Sequence, residues 1–258
     1  GAVFTPTSPL LSRAEIAHVA NDSEAGAIIV HAALLGELEA ARPDLKTVRH
    51  FIAIGGEPGE LKAKGYRLYG ELLQSGGATL APVRRAREDV AVLLYTSGTT
   101  GRPKGTAHLV EETLIVPDTF GKYGWRVTEH DIIGGSAPLA FGAGYSTFAS
   151  IPLRFGAAAS LIAKFEPDKM FETIEKHRIS VLSLAPTAYR KMLQVPGAEE
   201  KYNLKSLRLC TGGGESLTAP TYFAWKEKFG IDIFEGLGTT EMMYVFASNV
   251  VKMHPRPG

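Results

Sequence analysis

Between Thr96 and Gly105 the chain reads TSGTTGRPKG. Hydroxyl side chains come from Thr96, Ser97, Thr99 and Thr100, glycines from Gly98, Gly101 and Gly105, and a mobile positive charge from Lys104. Glycine lets backbone N–H groups come close to a ligand, and hydroxyls and an ammonium group supply donors for anionic oxygens. Such a run is suited to cradling a polyphosphate. It differs from the Walker A loop, which needs Gly-Lys-Ser/Thr in that order, because Pro103 precedes Lys104 and Gly105 follows it. A polar surface turn is the plainer alternative for Gly/Ser/Thr runs in general, but the full ten-residue pattern is far more specific.

Three further stretches carry chemistry. GGGESL (212–217) and EGLGTTE (235–241) each end a strand-like segment in glycines followed by a carboxylate, and SAPLAFGAGYS (136–146) joins small residues to aromatic ones. Alone, Glu241 reads as a solvated carboxylate at a helix start. Without their companions, Gly213, Gly214 and Glu215 would read equally well as a plain strand-to-helix turn. Tyr145 and Tyr244 fit a pocket wall or the core. His108 reads as a helix-start residue without a catalytic role. The lone cysteine, Cys210, reads as a buried strand residue, since no histidine is placed by sequence to activate it.

These residues need elements to position them, and strand-like and helix-like segments alternate along the chain. Ser12 and Glu15 have the spacing of a capping box opening a helix to about Ala20. Strands are expected at AIIV (27–30), VRHFIAI (48–54), VAVLLY (90–95), DIIGGSA, AASLIA, VLSLA, SLRLC and IDIFEG (231–236). Helices are expected at AALLGELEAAR (32–42), YRLYGELLQS (66–75), HLVEETLIV (108–116, disturbed at Pro117), PDKMFETIEKH (167–177), APTAYRKMLQ (185–194) and APTYFAWKEKFG (219–230), the last with Thr218 as N-cap. EPGELKAKG (57–65) reads as a charged loop and SGGATLAPVRRARED (75–89) as a linker. The alternation implies an α/β fold of layered, mostly parallel sheet with helices on both faces. Ligands then sit outside the carboxyl ends of strands, at the loops after Tyr95, Cys210 and Glu235. Residues 1–89 read as a first β/α portion and 90–258 as the portion carrying the loops.

Composition narrows the classes. With 258 residues, 28 Lys+Arg against 27 Asp+Glu and a net charge of +1, no basic excess points to nucleic acid. The lone cysteine cannot form an internal disulfide, so a reducing cytoplasm is the expected compartment; no apolar run reaches the length of a membrane span, and the N-terminus lacks the layout of a signal peptide.

YTSGTTGRPKG resembles the phosphate-loop signature of the adenylate-forming superfamily, and GGGESL, EGLGTTE and SAPLAFGAGYS follow in that family's order. PLAFGAGYSTFASIPLRFGA and GLGTTEMMYVFASN are similar to the benzoate and 2-aminobenzoate CoA-ligase branch. The resemblance implies ATP-dependent activation of a carboxylic acid, aromatic in this branch, followed by transfer to coenzyme A. On it, Thr96, Ser97, Gly98, Thr99, Thr100, Gly101 and Lys104 hold the β- and γ-phosphates of ATP. Gly213, Gly214 and Glu215, with Glu235, Gly236, Leu237, Gly238 and Thr239, line the nucleotide. Thr240 donates to the α-phosphate, Glu241 binds Mg2+, and Phe141, Gly142, Tyr145 and Tyr244 form the acyl pocket, with Gly142 and Gly144 leaving volume for a ring. Leu237 stands where relatives often place an aromatic residue against adenine. The family's ribose-binding Asp and late C-terminal Lys have no candidate here, so the resemblance implies a central fragment of a larger ligase, with little pyrophosphate exchange of its own. An aliphatic acid, a carrier-protein thiol as acceptor, or a non-catalytic nucleotide-binding module stay open as alternatives.

Overall fold

A computed structural model describes residues 1–96, 101–249 and 255. The chain divides into two units, Gly1–Ala107 and His108–Gly258.

In the first unit, α1 (Arg13–Asp22) opens where the capping box was expected: Glu15 accepts the Ser12 backbone N–H at 2.9 Å and its hydroxyl at 2.7 Å. It is followed by β1 (Ala27–His31), α2 (Leu35–Ala41), β2 (His50–Ile54), α3 (Pro58–Ala63), β3 (Arg67–Leu68) and α4 (Tyr69–Ser75). The strands form a parallel sheet in the order β1-β2-β3. Leu38, Ala53, Leu61 and Tyr66 bury its core. The expected loop at 57–65 is a helix for most of its length, because Pro58 supplies the fixed φ suited to a first helical position and Leu61 is buried.

β4 (Val90–Thr96) departs from expectation more deeply. It pairs with β5 (Lys104–Leu109) in a two-stranded sheet of its own, not in a larger parallel sheet. Val92 and Leu94 are fully buried, and Phe4 bridges to Val92. The segment from Lys104 to Leu109, part of which was expected to be helical, is therefore extended.

In the second unit, α5 (Glu112–Val116) runs on through Pro117 as a more widely wound π-helix, Pro117–Trp125. Pro117 does not break the helix; its φ of −64° is helical, and the winding widens from there. The later elements are β6 (Ile132–Gly135), α6 (Gly142–Tyr145), a π segment (Ser146–Ser150), α7 (Ile151–Phe155), β7 (Ala158–Ser160), α8 (Pro167–His177), β8 (Val181–Leu184), α9 (Pro186–Leu193), α10 (Ala198–Lys201), β9 (Leu209–Gly213), α11 (Ala219–Phe229), β10 (Ile233–Gly238) and β11 (Val245–Ser248). The sheet order is β11-β10-β9-β8-β6-β7, parallel except for β11. α8, α9 and α11 bury Phe171, Ile174, Tyr189, Met192 and Trp225 in the main core of this unit.

Asp131 ties the sheet just before the starts of β6, β8 and β9, through Ser180 and Arg208. Burial favours its neutral form, but two 2.7 Å bonds from the Arg208 guanidinium, with donors from Ser180 and Thr128, outweigh burial and hold the carboxyl at about 2. Cys210 is buried in β9, as expected, and burial raises its thiol to about 12. Among the described residues no helix is long and apolar enough to cross a membrane.

Candidate active site

The glycine-rich segments of the second unit are strand ends rather than free loops. β9 carries Gly212 and Gly213, and β10 carries Glu235 through Gly238. The two strands pair in register, Glu235 with Gly212 and Gly236 with Gly213. Side chains are missing where the strands end, and a cavity of about 410 Å3 opens there. It lies at the carboxyl ends of parallel strands, as the topology requires.

One wall is backbone and small side chains: Gly212, Gly213, Gly214, Gly236, Gly238, Thr239 and Thr240. The opposite chemistry comes from Phe120, Trp125, Phe141 and Tyr244, with Gly142 between them. Phe120, Trp125 and Tyr244 pack edge-on and tilted, with ring centroids 5.5–5.9 Å apart. The Tyr244 hydroxyl is 2.9 Å from Thr147 Oγ1, and burial raises it to about 12.

Several expected residues lie elsewhere. Tyr145 is half-buried and outside this cavity's lining. Gly144 does not leave room for a ring: a Cβ there would stand 2.0 Å from the Pro138 carbonyl oxygen, so its role is to let the start of α6 touch the preceding backbone. Leu237 is 63% exposed and also outside the lining. Glu215 points to α9, where it accepts the Thr187 N–H at 2.6 Å and faces Arg190 at 3.5 Å. Its carboxyl is held below the usual range by the Thr187 hydroxyl and N–H. Glu235 accepts the Leu217 N–H at 2.7 Å and so pins the turn after β9. Glu241 is exposed. Its carboxylate is a hard donor, and among the described residues no group of three or more His, Cys, Asp or Glu gathers into a cation cage. A lone carboxylate with substrate oxygens and water suits Mg2+, which is rarely held by an all-protein cage.

Sequence reasoning missed the part played by His108. It is 1% exposed, and its Nε2 lies 2.8 Å from the Thr240 carbonyl oxygen. Nδ1 is 3.2 Å from Glu112 Oε2, which also accepts the Leu109 N–H at 2.9 Å. His108 and Glu112 are four apart, a spacing that was visible but was read as one helix. Phe120 and Trp125 were missed as well, since aromatics on a helix usually mean core.

In the first unit, Tyr95 and Pro103, on either side of the phosphate-loop motif, are held from α1. The Tyr95 hydroxyl donates to Asp22 at 2.6 Å, and His18 Nε2 meets the Pro103 carbonyl at 2.7 Å. At Gly105 a Cβ would come within 2.9 Å of the Tyr95 ring, so a side chain there would have to displace that ring. Ser97, Gly98, Thr99 and Thr100 lie outside the described residues.

The sequence pattern of the family described as AMP-binding enzyme matches residues 1–258. The chain belongs to this family. The benzoate–CoA ligase of Thauera aromatica is 30% identical to this chain over 250 residues, covering 96% of this chain and 46% of its own. A 4-hydroxybenzoate–CoA/benzoate–CoA ligase of Rhodopseudomonas palustris is 32% identical, covering 90% and 42%. The crystal structure of the anthranilate CoA ligase AuaEII with anthranoyl-AMP superposes with a TM-score of 0.93 at 31% identity, covering 100% of this chain and 49% of that one. The chain thus spans about half the length of the relatives it matches.

Proposed function

We propose that this chain is the nucleotide- and acid-binding part of an AMP-forming acid–CoA ligase acting on an aromatic carboxylic acid. The observation that carries the reading is the composition of one cavity, whose lining joins bare strand-end backbone to Phe120, Trp125, Phe141 and Tyr244. Backbone and glycine suit a flat nucleotide, and an aromatic wall suits an aryl ring. Benzoate-, hydroxybenzoate- and anthranilate-activating relatives support the same acid class.

In the reaction, a carboxylate oxygen of the acid attacks the α-phosphorus of ATP. The bond to the bridging oxygen breaks, and pyrophosphate leaves with its electron pair. The CoA thiolate then attacks the acyl carbon and AMP departs, the thiol proton going to solvent. The barrier in the first step is repulsion between anions, so catalysis is largely positioning and charge neutralisation. Thr96, Ser97, Gly98, Thr99, Thr100, Gly101 and Lys104 hold the β- and γ-phosphates. Thr240 donates to the α-phosphate, with its backbone fixed by His108. Gly213, Gly214 and Gly236 to Thr239 border the nucleoside, with Glu215 and Glu235 bracing the turn beside them. Phe141, Gly142 and Tyr244 enclose the acid. Glu241 would hold Mg2+, which when bound supplies neutralisation of phosphate charge.

The test is product formation by the full-length gene product with ATP, Mg2+ and CoA. Mass spectrometry should show an aryl-CoA and AMP with benzoate or 2-aminobenzoate. Thioesters of aliphatic acids alone would remove the aromatic assignment, and ATP consumption with no acid would remove the ligase assignment.

A further inference from the structure

Two adjacent hydroxyl side chains, Ser146 and Thr147, are fully buried where α6 passes into the π segment. Neither belongs to the cavity lining. Both meet the turn that follows Glu241. Thr147 Oγ1 lies 2.9 Å from the Tyr244 hydroxyl, and Ser146 Oγ reaches the Met243 carbonyl oxygen at 3.4 Å, the looser of the two contacts. Met243 stands in the left-handed region at φ 61°, which a residue with a side chain keeps only where its surroundings hold it.

Tyr244 differs from these in that it does line the cavity, where it is 6% exposed. Its ring packs edge-on against Phe120 at 5.5 Å and Trp125 at 5.9 Å. Ring contacts of this kind tolerate sliding, whereas a hydroxyl bond weakens steeply once its geometry is lost. The Thr147 bond therefore sets how far the Tyr244 ring advances toward the cavity. It also joins, across 97 residues of sequence, the two segments that supply the aromatic end of that cavity: the one carrying Phe141 and Gly142, which leads into Thr147, and the one carrying Tyr244. Ser183, itself in the lining, also faces the Tyr244 hydroxyl, so loss of the Thr147 oxygen leaves that hydroxyl with a partner on the cavity side.

Resting on the aromatic-acid reading above, we propose that Thr147 is a positioning residue for acid specificity. Acting through the Tyr244 hydroxyl, it holds that ring at the depth that decides which ring substituents the cavity accepts. Thr147 touches no substrate itself; what it controls is the shape of the wall that does.

The probes are benzoate and its 2-, 3- and 4-methyl derivatives, compared by kcat/KM with the full-length gene product and its Thr147→Val variant. Valine keeps the shape of threonine and removes the hydroxyl. The wild type is expected to disfavour at least one methyl position against benzoate by about tenfold or more. In Thr147→Val that ratio should relax by at least about fivefold, with the KM for ATP within about threefold of the wild type, and Thr147→Ser should keep the wild-type ranking. Tyr244→Phe cuts the same bond from its other end, so Thr147→Val should add less than about twofold to its effect. A wild type indifferent to all three methyl positions, an unchanged ranking in Thr147→Val, a KM for ATP that rises in step with the change, or fully additive effects of the two variants each overturns this inference alone. Should the valine variant not fold, Tyr244→Phe decides: a relaxed ratio supports the inference and an unchanged one overturns it. Turnover of aliphatic acids with none of the benzoates removes the aromatic-acid reading, and this inference with it.

Discussion

The imidazole of His108 holds the backbone of Thr240, with Nε2 2.8 Å from its carbonyl oxygen across 132 residues of sequence. A carbonyl only accepts, so Nε2 carries the hydrogen. The same carbonyl accepts the Met243 N–H at 2.9 Å, and the Thr239 hydroxyl accepts the Met242 N–H at 3.2 Å. The turn that presents Thr240 and Glu241 is thus anchored from outside its own segment. His108→Ala removes one of two bonds to that carbonyl. The expected loss is roughly 1.4 kcal/mol, about tenfold in kcat/KM for ATP, with the circular-dichroism spectrum preserved. Wild-type exchange kinetics in the variant would show that the tether has no bearing on the reaction.

Gly144 and the Pro138 carbonyl touch so closely that any side chain must displace backbone, since a Cβ would sit 2.0 Å from that oxygen. Gly144→Ala should therefore destabilise the protein by about 2–3 kcal/mol, in the upper range for overpacking, and lower the urea midpoint accordingly. A midpoint equal to that of the wild type would contradict this placement of α6.

The Asp131–Arg208 pair predicts a defined acid response. The carboxyl stands at about 2 in the fold against an ordinary 3.8, so its contribution is complete above about pH 4 and is lost as pH falls from there through 2. That contribution is on the order of 2 kcal/mol. Urea unfolding followed between pH 5 and pH 2 should steepen in this window, and Asp131→Asn should remove the added slope. Breaking the pair from the other side, Arg208→Ala, strands a buried carboxylate and should cost about 3 kcal/mol.

Much of this was legible in the sequence where a local signal and the tertiary fold agree. α8 runs from Pro167 to His177 as expected, because proline marks its start and Arg178 leaves in the left-handed region. β5 was hidden, because KGTAHL has no apolar alternation and becomes a strand only by pairing with β4. The helical stretch from Gly142 to Phe155 was hidden by its glycines, which signal a loop until the Pro138 contact is known. Within the site, the glycines and threonines declared themselves by motif. Phe120, Trp125 and His108 did not, since their partners Tyr244 and Thr240 lie more than a hundred residues away along the chain.

The two ends of the substrate set should separate under mutation. Lys104→Ala removes a charge from the proposed phosphate-binding run, and the expected effect is a KM for ATP raised about tenfold or more with acid preference retained. Phe141 lines the cavity beside Gly142, and Phe141→Ala should shift the ranking of acids while leaving the KM for ATP within about threefold. A Phe141→Ala variant with an unaltered acid ranking would place the acyl group elsewhere.

The central claim is that a carboxylic acid is joined to AMP at this site. Benzoate-dependent exchange of labelled pyrophosphate into ATP by the full-length gene product measures that step alone, before any thiol is needed. Exchange should require the acid, proceed without CoA and fall at least about a hundredfold in Glu241→Ala, as expected when the charge balance around a transferring phosphate is lost. Exchange that is absent with every carboxylic acid, or that persists at full rate without Glu241, would contradict it.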